Sequence, residues 1–235
     1  MSEFDLEAIG FAISVWALPV LVAITLHEAA HGWAAWRLGD DTAKLLGRVS
    51  FNPLRHIHPF GTVLLPAALL LASGGRMMFG FARPVPVNFN RLGRPRRDMV
   101  LVAAAGPGIN LVLAVASAAA LHLAGLLDDG DPKSWLVHNL VNSVWINVLL
   151  CVFNMLPLPP LDGGRVAVGL LPRRLALPLA RLENVGVMLI LAVMFLLPWI
   201  GRQAGFHIDV FGWLIGAPAA FLMDAILGLV GLRLG

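Results

Sequence analysis

The sequence predicts an all-α polytopic membrane protein. About five transmembrane helices are expected, plus a membrane-dipping segment near 60–75 and a small cytoplasmic-side β element. Three observations carry that expectation. The chain is 58% hydrophobic and only 13% charged, whereas a soluble domain is usually about half apolar and about a quarter charged. The apolar residues gather in long runs, and the mean hydropathy is +0.81. The arginines sit between those runs rather than inside them. A formal net charge of +3 could by itself suggest a nucleic-acid partner. Arginines confined to the flanks of apolar segments follow membrane topology instead, so the expected partner is the lipid bilayer and not nucleic acid.

A hydrocarbon core of about 30 Å needs roughly 20 helical residues to cross. Runs of that kind lie near 9–36, 98–126, 135–156, 185–200 and 207–231, the fourth interrupted by Pro198. The opening "MSEFDLEAIG" is acidic and lacks a basic leader, so the first run is expected to be retained. The shorter run "FGTVLLPAALLLASGG", 60–75, carries Pro66 in its middle. Its flanks are both basic: Arg37, Lys44, Arg48 and Arg55 before it, Arg76, Arg83, Arg91, Arg94, Arg96 and Arg97 after it. Basic flanks stay cytoplasmic. Segment 60–75 is therefore expected to enter and return on one side, which places the amino terminus outside and Arg233 inside. Residues 41–52 alternate in part and suggest a strand pair. The stretch "RPVPVN", 83–88, must be extended, because proline disfavours helix at the residue before it. The lone Cys151 excludes a disulfide framework. The whole of 1–235 reads as one membrane domain, with a core at about 9–170 and extra helices at about 185–231.

The chemistry is concentrated in "ITLHEAAHGWAAW", 24–36. Residues four apart share a helix face, so His27 and His31 can offer ring nitrogens to one ion. Glu28 borders the same face. This is the H-E-x-x-H arrangement of two zinc ligands and a general base for water. Ionisable groups inside a span are costly and mark function. The bland reading is a polar patch satisfied by neighbouring helices or a water-filled cavity.

A catalytic zinc site has three protein ligands and an open position. The strongest candidate for the third is Asp162, in "FNMLPLPPLDGGRV", 153–166. Three prolines prevent a regular helix there, and Gly163 and Gly164 permit close backbone approach. An N-cap role or an ion pair with Arg165 competes with ligation on local sequence. In the topology above, however, the first and 135–156 spans both run inward. They deliver His27, His31 and Asp162 to similar depth.

These residues carry a resemblance. "HEAAHG", "AAAGPGIN" (103–110) and "FNMLPLPPLDGGRV" together resemble the site-2 protease family of intramembrane zinc metalloproteases. "FNPLRHIHPFGTVLLP" (51–66) and "ARPVPVNFNRLGRPRRDM" (82–99) are similar to its small bacterial branch without a PDZ domain. The likeness covers roughly residues 15–170. It implies one zinc held by His27, His31 and Asp162, with Glu28 as the catalytic acid/base. It implies that Asn154 steadies the scissile carbonyl, and that Gly106, Pro107 and Gly108 serve close helix packing. The chain reads "HIHP" at 56–59 where the branch commonly reads "HIDP", which leaves His58 without an assigned role.

The resemblance further implies hydrolysis of a peptide bond in another protein's transmembrane helix, at a bacterial inner membrane, from a site opening to the cytoplasm. A locally unwound substrate could pair with an edge strand, from either 83–88 or 45–51. A metal- or proton-coupled transporter would favour acids spread over several helices, and here they cluster. A catalytically silent adaptor of the same fold should lack Glu28 or a ligand, and neither is missing. A zinc protease using Glu183 as third ligand lacks a partner motif. His56 and His58 read as extra ligands or as interfacial polar residues. Asn142 and Asn147 either bond between helices or line a water path.

Overall fold

The computed structural model describes residues 6–64, 68 and 83–232. All its regular elements among those residues are helical. Helix α1 spans Leu6–Arg37, and Gly39, at φ 113°, turns the chain away from it. A short helix α2, Thr42–Leu45, follows. Helix α3 spans Pro95–Ala124. Its first residue is a proline, which has no amide hydrogen to leave unsatisfied, and the Asp98 carboxylate reaches back to accept the Arg94 amide at 2.7 Å. Helix α4 spans Asp131–Asn154. Two short helices, α5 (Asp162–Leu170) and α6 (Arg173–Arg181), lead to the last pair. These are α7, Gly186–Gln203, and α8, Gly212–Leu229.

Five of these helices, α1, α3, α4, α7 and α8, are long and apolar enough to cross a membrane. The protein is an integral membrane protein. The five expected spans are all present, with ends shifted by a few residues. Both late helices widen to a π-helical stretch, Ala192–Leu196 and Gly212–Gly216, just before Pro198 and Pro218. A proline ring clashes with the preceding turn and cannot donate to it, and a wider turn relieves both problems.

Helices α1, α3 and α4 form the central bundle, and α8 packs on it. Ala114 and Ala118 of α3, Val144 and Val148 of α4, and Ala219, Met223, Ile226 and Leu227 of α8 make one buried cluster. Small side chains let helix backbones approach where water offers no hydrophobic drive. Ile13, Val112, Leu123, Trp213 and Phe221 point outward and exposed, as lipid-facing residues do.

One expectation changes. Among the described residues there is no strand, so the small β element at 41–52 and 83–88 is not present as such. Residues 42–45 are helical because the Asp40 carboxylate accepts both the Thr42 amide, at 3.1 Å, and the Thr42 hydroxyl, at 2.5 Å. Residues 83–88 are extended as expected, but side chains and a loop carbonyl take their amides where a ladder would have. The Arg83 amide donates to the His56 carbonyl, the Val85 amide to Glu28 and the Asn88 amide to Asp40. The membrane-dipping segment 60–75 lies, apart from a helical turn at Pro59–Leu64 and residue 68, outside the described residues.

Candidate active site

The last third of α1 holds His27 and His31 one turn apart, facing the first residue of α5, Asp162. The two Nε2 atoms are 3.1 Å apart. Asp162 Oδ2 lies 3.2 Å from each. All three side chains are buried. The proline-rich loop after α4 sets Asp162 there by folding tightly against its own backbone. A Cβ on Gly163 would stand 2.2 Å from the Met155 carbonyl oxygen, and one on Gly164 would stand 2.1 Å from the Pro159 nitrogen. Only glycine fits at such approaches.

The donor set fits a metal. His31 Nδ1 lies 2.7 Å from the Val102 carbonyl oxygen. A carbonyl only accepts, so Nδ1 carries the hydrogen, and the neutral form of the ring has its Nε2 lone pair aimed at its neighbours. His27 Nδ1 is likewise occupied outside the trio, at 2.5 Å from Asn110 Oδ1. Two ring lone pairs and a carboxylate thus converge, and one divalent cation satisfies all three. Tetrahedral zinc with bonds of about 2.0–2.1 Å needs donors about 3.3–3.4 Å apart. The observed separations of 3.1 and 3.2 Å are within a few tenths of that. Gly106 of α3 makes the space. A Cβ there would be 2.4 Å from His31 Nε2 and 2.7 Å from His27 Cε1. Gly108, expected to serve packing alongside it, meets nothing within 4 Å.

Glu28 is half-buried beside the trio, and its Oε2 accepts the Val85 amide at 2.8 Å. The buried Arg48 guanidinium donates to the Arg83 carbonyl at 2.5 Å and fixes the same segment. Asn154 is not joined to the trio: its amide nitrogen donates to the Leu150 carbonyl one turn back, at 3.0 Å. The competing roles for Asp162 are not adopted. Arg165 pairs with Glu183 at 2.8 Å, which also occupies the alternative acid, and the α5 N-cap is Leu161. His56 is buried and bonds the Ser50 carbonyl, while His58 Nδ1 accepts the Gly61 amide. Both organise the loop after α2. Asn142 donates to the Val15 carbonyl, and so ties α4 to α1.

Sequence reasoning missed Asn110 as anything but the end of a packing motif, and it missed the Val85 amide. The first carried a usable signal: a buried-type polar residue two positions after a Gly-Pro-Gly in an otherwise apolar span. The second is a backbone group and leaves no trace in residue type.

A membrane bundle whose first long helix carries H-E-x-x-H and faces a buried aspartate defines a membrane metalloprotease. The chain belongs to peptidase family M50, the site-2 protease family, matching it over residues 15–144 and 130–197. It is 37% identical over 191 residues to "Putative zinc metalloprotease YwhC" of Bacillus subtilis, covering 77% of this chain and 80% of that one. It is 35% identical over 143 residues to "Putative zinc metalloprotease Rip2" of Mycobacterium tuberculosis, and 33% over 147 residues to Rip2 of Mycolicibacterium smegmatis. The matches to the two Rip2 proteins span 61% of this chain and 52% of theirs. No solved structure matches the chain. The protein is a zinc metalloprotease of the membrane.

Proposed function

We propose that the protein hydrolyses peptide bonds within or near transmembrane helices of other membrane proteins. In this reading His27, His31 and Asp162 hold one zinc ion and Glu28 is the acid/base. The observation that carries it is the triangle of three buried donors, 3.1–3.2 Å on a side, with Glu28 next to it. Zinc in such a site supplies Lewis acidity towards water and a peptide carbonyl. Glu28 takes the proton of the attacking water and returns it to the leaving amine. The bond from Val85 holds Oε2, which leaves Oε1 free to face that water. Asn154 serves the developing oxyanion after its amide turns from Leu150.

The substrate helix closes its own backbone hydrogen bonds, so it must unwind locally before attack. The amides of Arg83, Val85 and Asn88 are already engaged, so segment 83–88 is a poor donor edge for that unwound stretch. The basic flanks of α1 and α3 support a site that opens to the cytoplasm, in a bacterial cell membrane. All the proposed site residues fall between 27 and 162, which supports a catalytic core at about 9–170. A transporter reading is disfavoured by the convergence of the intramembrane ligands on one point.

The test pairs two variants. Glu28→Gln should keep about one zinc per chain and lose at least about 100-fold in cleavage of a co-expressed transmembrane substrate. Asp162→Ala should lose zinc under the same purification. Wild-type cleavage by the first, or full zinc in the second, overturns the assignment.

A further inference from the structure

We infer that Asn110 is a positioning residue for His27, and that Asn147 sets the direction in which Asn110 points. The inference rests on the ligand reading proposed above. Both asparagines are fully buried, in α3 and α4. An asparagine side chain has one donating and one accepting end, and which end points where follows from its partners. The deduction starts at a backbone carbonyl. Asn147 Nδ2 lies 2.8 Å from the Ser143 carbonyl oxygen, which only accepts. Asn147 therefore turns its Oδ1 outward, and that atom accepts Asn110 Nδ2 at 2.7 Å. Asn110 Nδ2 also faces a second pure acceptor, the Ala23 carbonyl of α1, at 3.3 Å. Asn110 Oδ1 is thereby left facing His27 Nδ1 at 2.5 Å.

An acceptor at that point requires hydrogen on Nδ1, and in the neutral ring this leaves the lone pair on Nε2, 3.2 Å from Asp162. The polar chain thus selects the His27 tautomer that can ligate and fixes the plane of its ring. His31 obtains the same selection from the Val102 carbonyl alone. His27 needs a side chain, because its Nδ1 faces α3 at Asn110. Outer partners of metal-bound histidines usually contribute about 10–100-fold in metal affinity. Asn110 is fully buried, so a partner lost there has to be replaced from within the protein.

The experiment uses the purified full chain in detergent. Zinc affinity is read by competition with a chromogenic chelator, and thermal unfolding of the zinc-free protein is read beside it. Asn110→Leu should weaken zinc by about 10–100-fold. Asn110→Asp keeps an acceptor for His27 but turns a second oxygen towards Asn147 Oδ1 and the Ala23 carbonyl, so it should recover part of the loss and bind zinc more tightly than Asn110→Leu. Asn147→Leu should weaken zinc by a smaller factor, and that effect should vanish in the Asn110→Leu background. Asn110→Asp losing as much zinc affinity as Asn110→Leu would show mere packing and overturn the inference, as would a folded Asn110→Leu that binds zinc like wild type. If Asn110→Leu does not fold, Asn110→Ala takes its place in both comparisons. Wild-type protein that binds no zinc overturns the ligand reading and this inference together. Wild-type protein that binds zinc, with Asn110 variants indifferent to it, overturns this inference alone.

Discussion

Gly106→Ala adds one methyl group at the point where two imidazole rings meet α3. The new Cβ would lie 2.4 Å from His31 Nε2, 2.6 Å from His31 Cε1 and 2.7 Å from His27 Cε1, where real Cβ atoms essentially never come within 3.0 Å of a neighbour. At least one ring must therefore move by about half an ångström. Neither can do so freely. His31 is tied to Val102 and His27 to Asn110 through the nitrogens opposite the trio. Overpacking of this kind costs about 1–3 kcal/mol. If the strain falls on the ligands, zinc affinity drops by about 10–100-fold, which is about 1.4–2.7 kcal/mol. Gly108→Ala is the matched control, because its Cβ meets nothing within 4 Å. That variant should bind zinc within about twofold of wild type and gain up to about 1 kcal/mol of helix stability. Chelator competition on both proteins, with proteolysis of a transmembrane substrate alongside, measures the contrast. Equal zinc affinities in the two variants would refute the claim that Gly106 makes room for the ligands.

Three further outcomes are expected. Burial raises the Asp40 carboxyl, but the Thr42 hydroxyl and the amides of Asn88 and Thr42 outweigh it and hold the group below its ordinary value. Its ionised form therefore favours the fold above the unfolded value of about 3.9, and that contribution is lost as pH falls through the lower folded value. Asp40→Asn should lower stability near neutrality by about 1–2 kcal/mol and flatten the acid limb of a thermal-unfolding series, and an unaltered acid limb would count against this. Leu46→Cys and Arg94→Cys, both at exposed positions, should react with a membrane-impermeant maleimide from the same side; opposite-side labelling removes the inferred topology. A strong chelator should abolish cleavage and added zinc should restore it. Activity that survives with less than about a tenth of the zinc remaining refutes the metal mechanism.

The five spans were legible because lipid-facing and bundle-facing residues are both apolar, so composition alone marks them. The grouping of His27, His31 and Asp162 was legible for a different reason. His27 and His31 are fixed by helix spacing, and Asp162 is brought to them by a topology in which the first and 135–156 spans run the same way. Residues 41–52 misled because their alternation is real but short. A single side chain, Asp40, bonds the local turn at Thr42 and the distant amide of Asn88. That second bond spans 48 positions and has no periodic signature. Asn110 illustrates the same limit more sharply. Its residue type suggests a buried polar contact, but its role depends on which of its two ends meets His27, and that is settled by a carbonyl of Ser143 on another helix.

The bond between Glu28 and the Val85 amide bears on how an inactive form of this enzyme should be made. Val85 is almost wholly buried, and its amide has Glu28 as acceptor. Replacing Glu28 with alanine removes the proposed base and also leaves that amide unpaired, a penalty of about 1–3 kcal/mol falling on segment 83–88. Glutamine keeps a carbonyl oxygen at the same reach, so it removes proton transfer while the segment stays anchored. An alanine variant that fails to capture substrate would therefore report a loosened segment as much as lost chemistry. The glutamine variant is the cleaner trap for an uncleaved substrate.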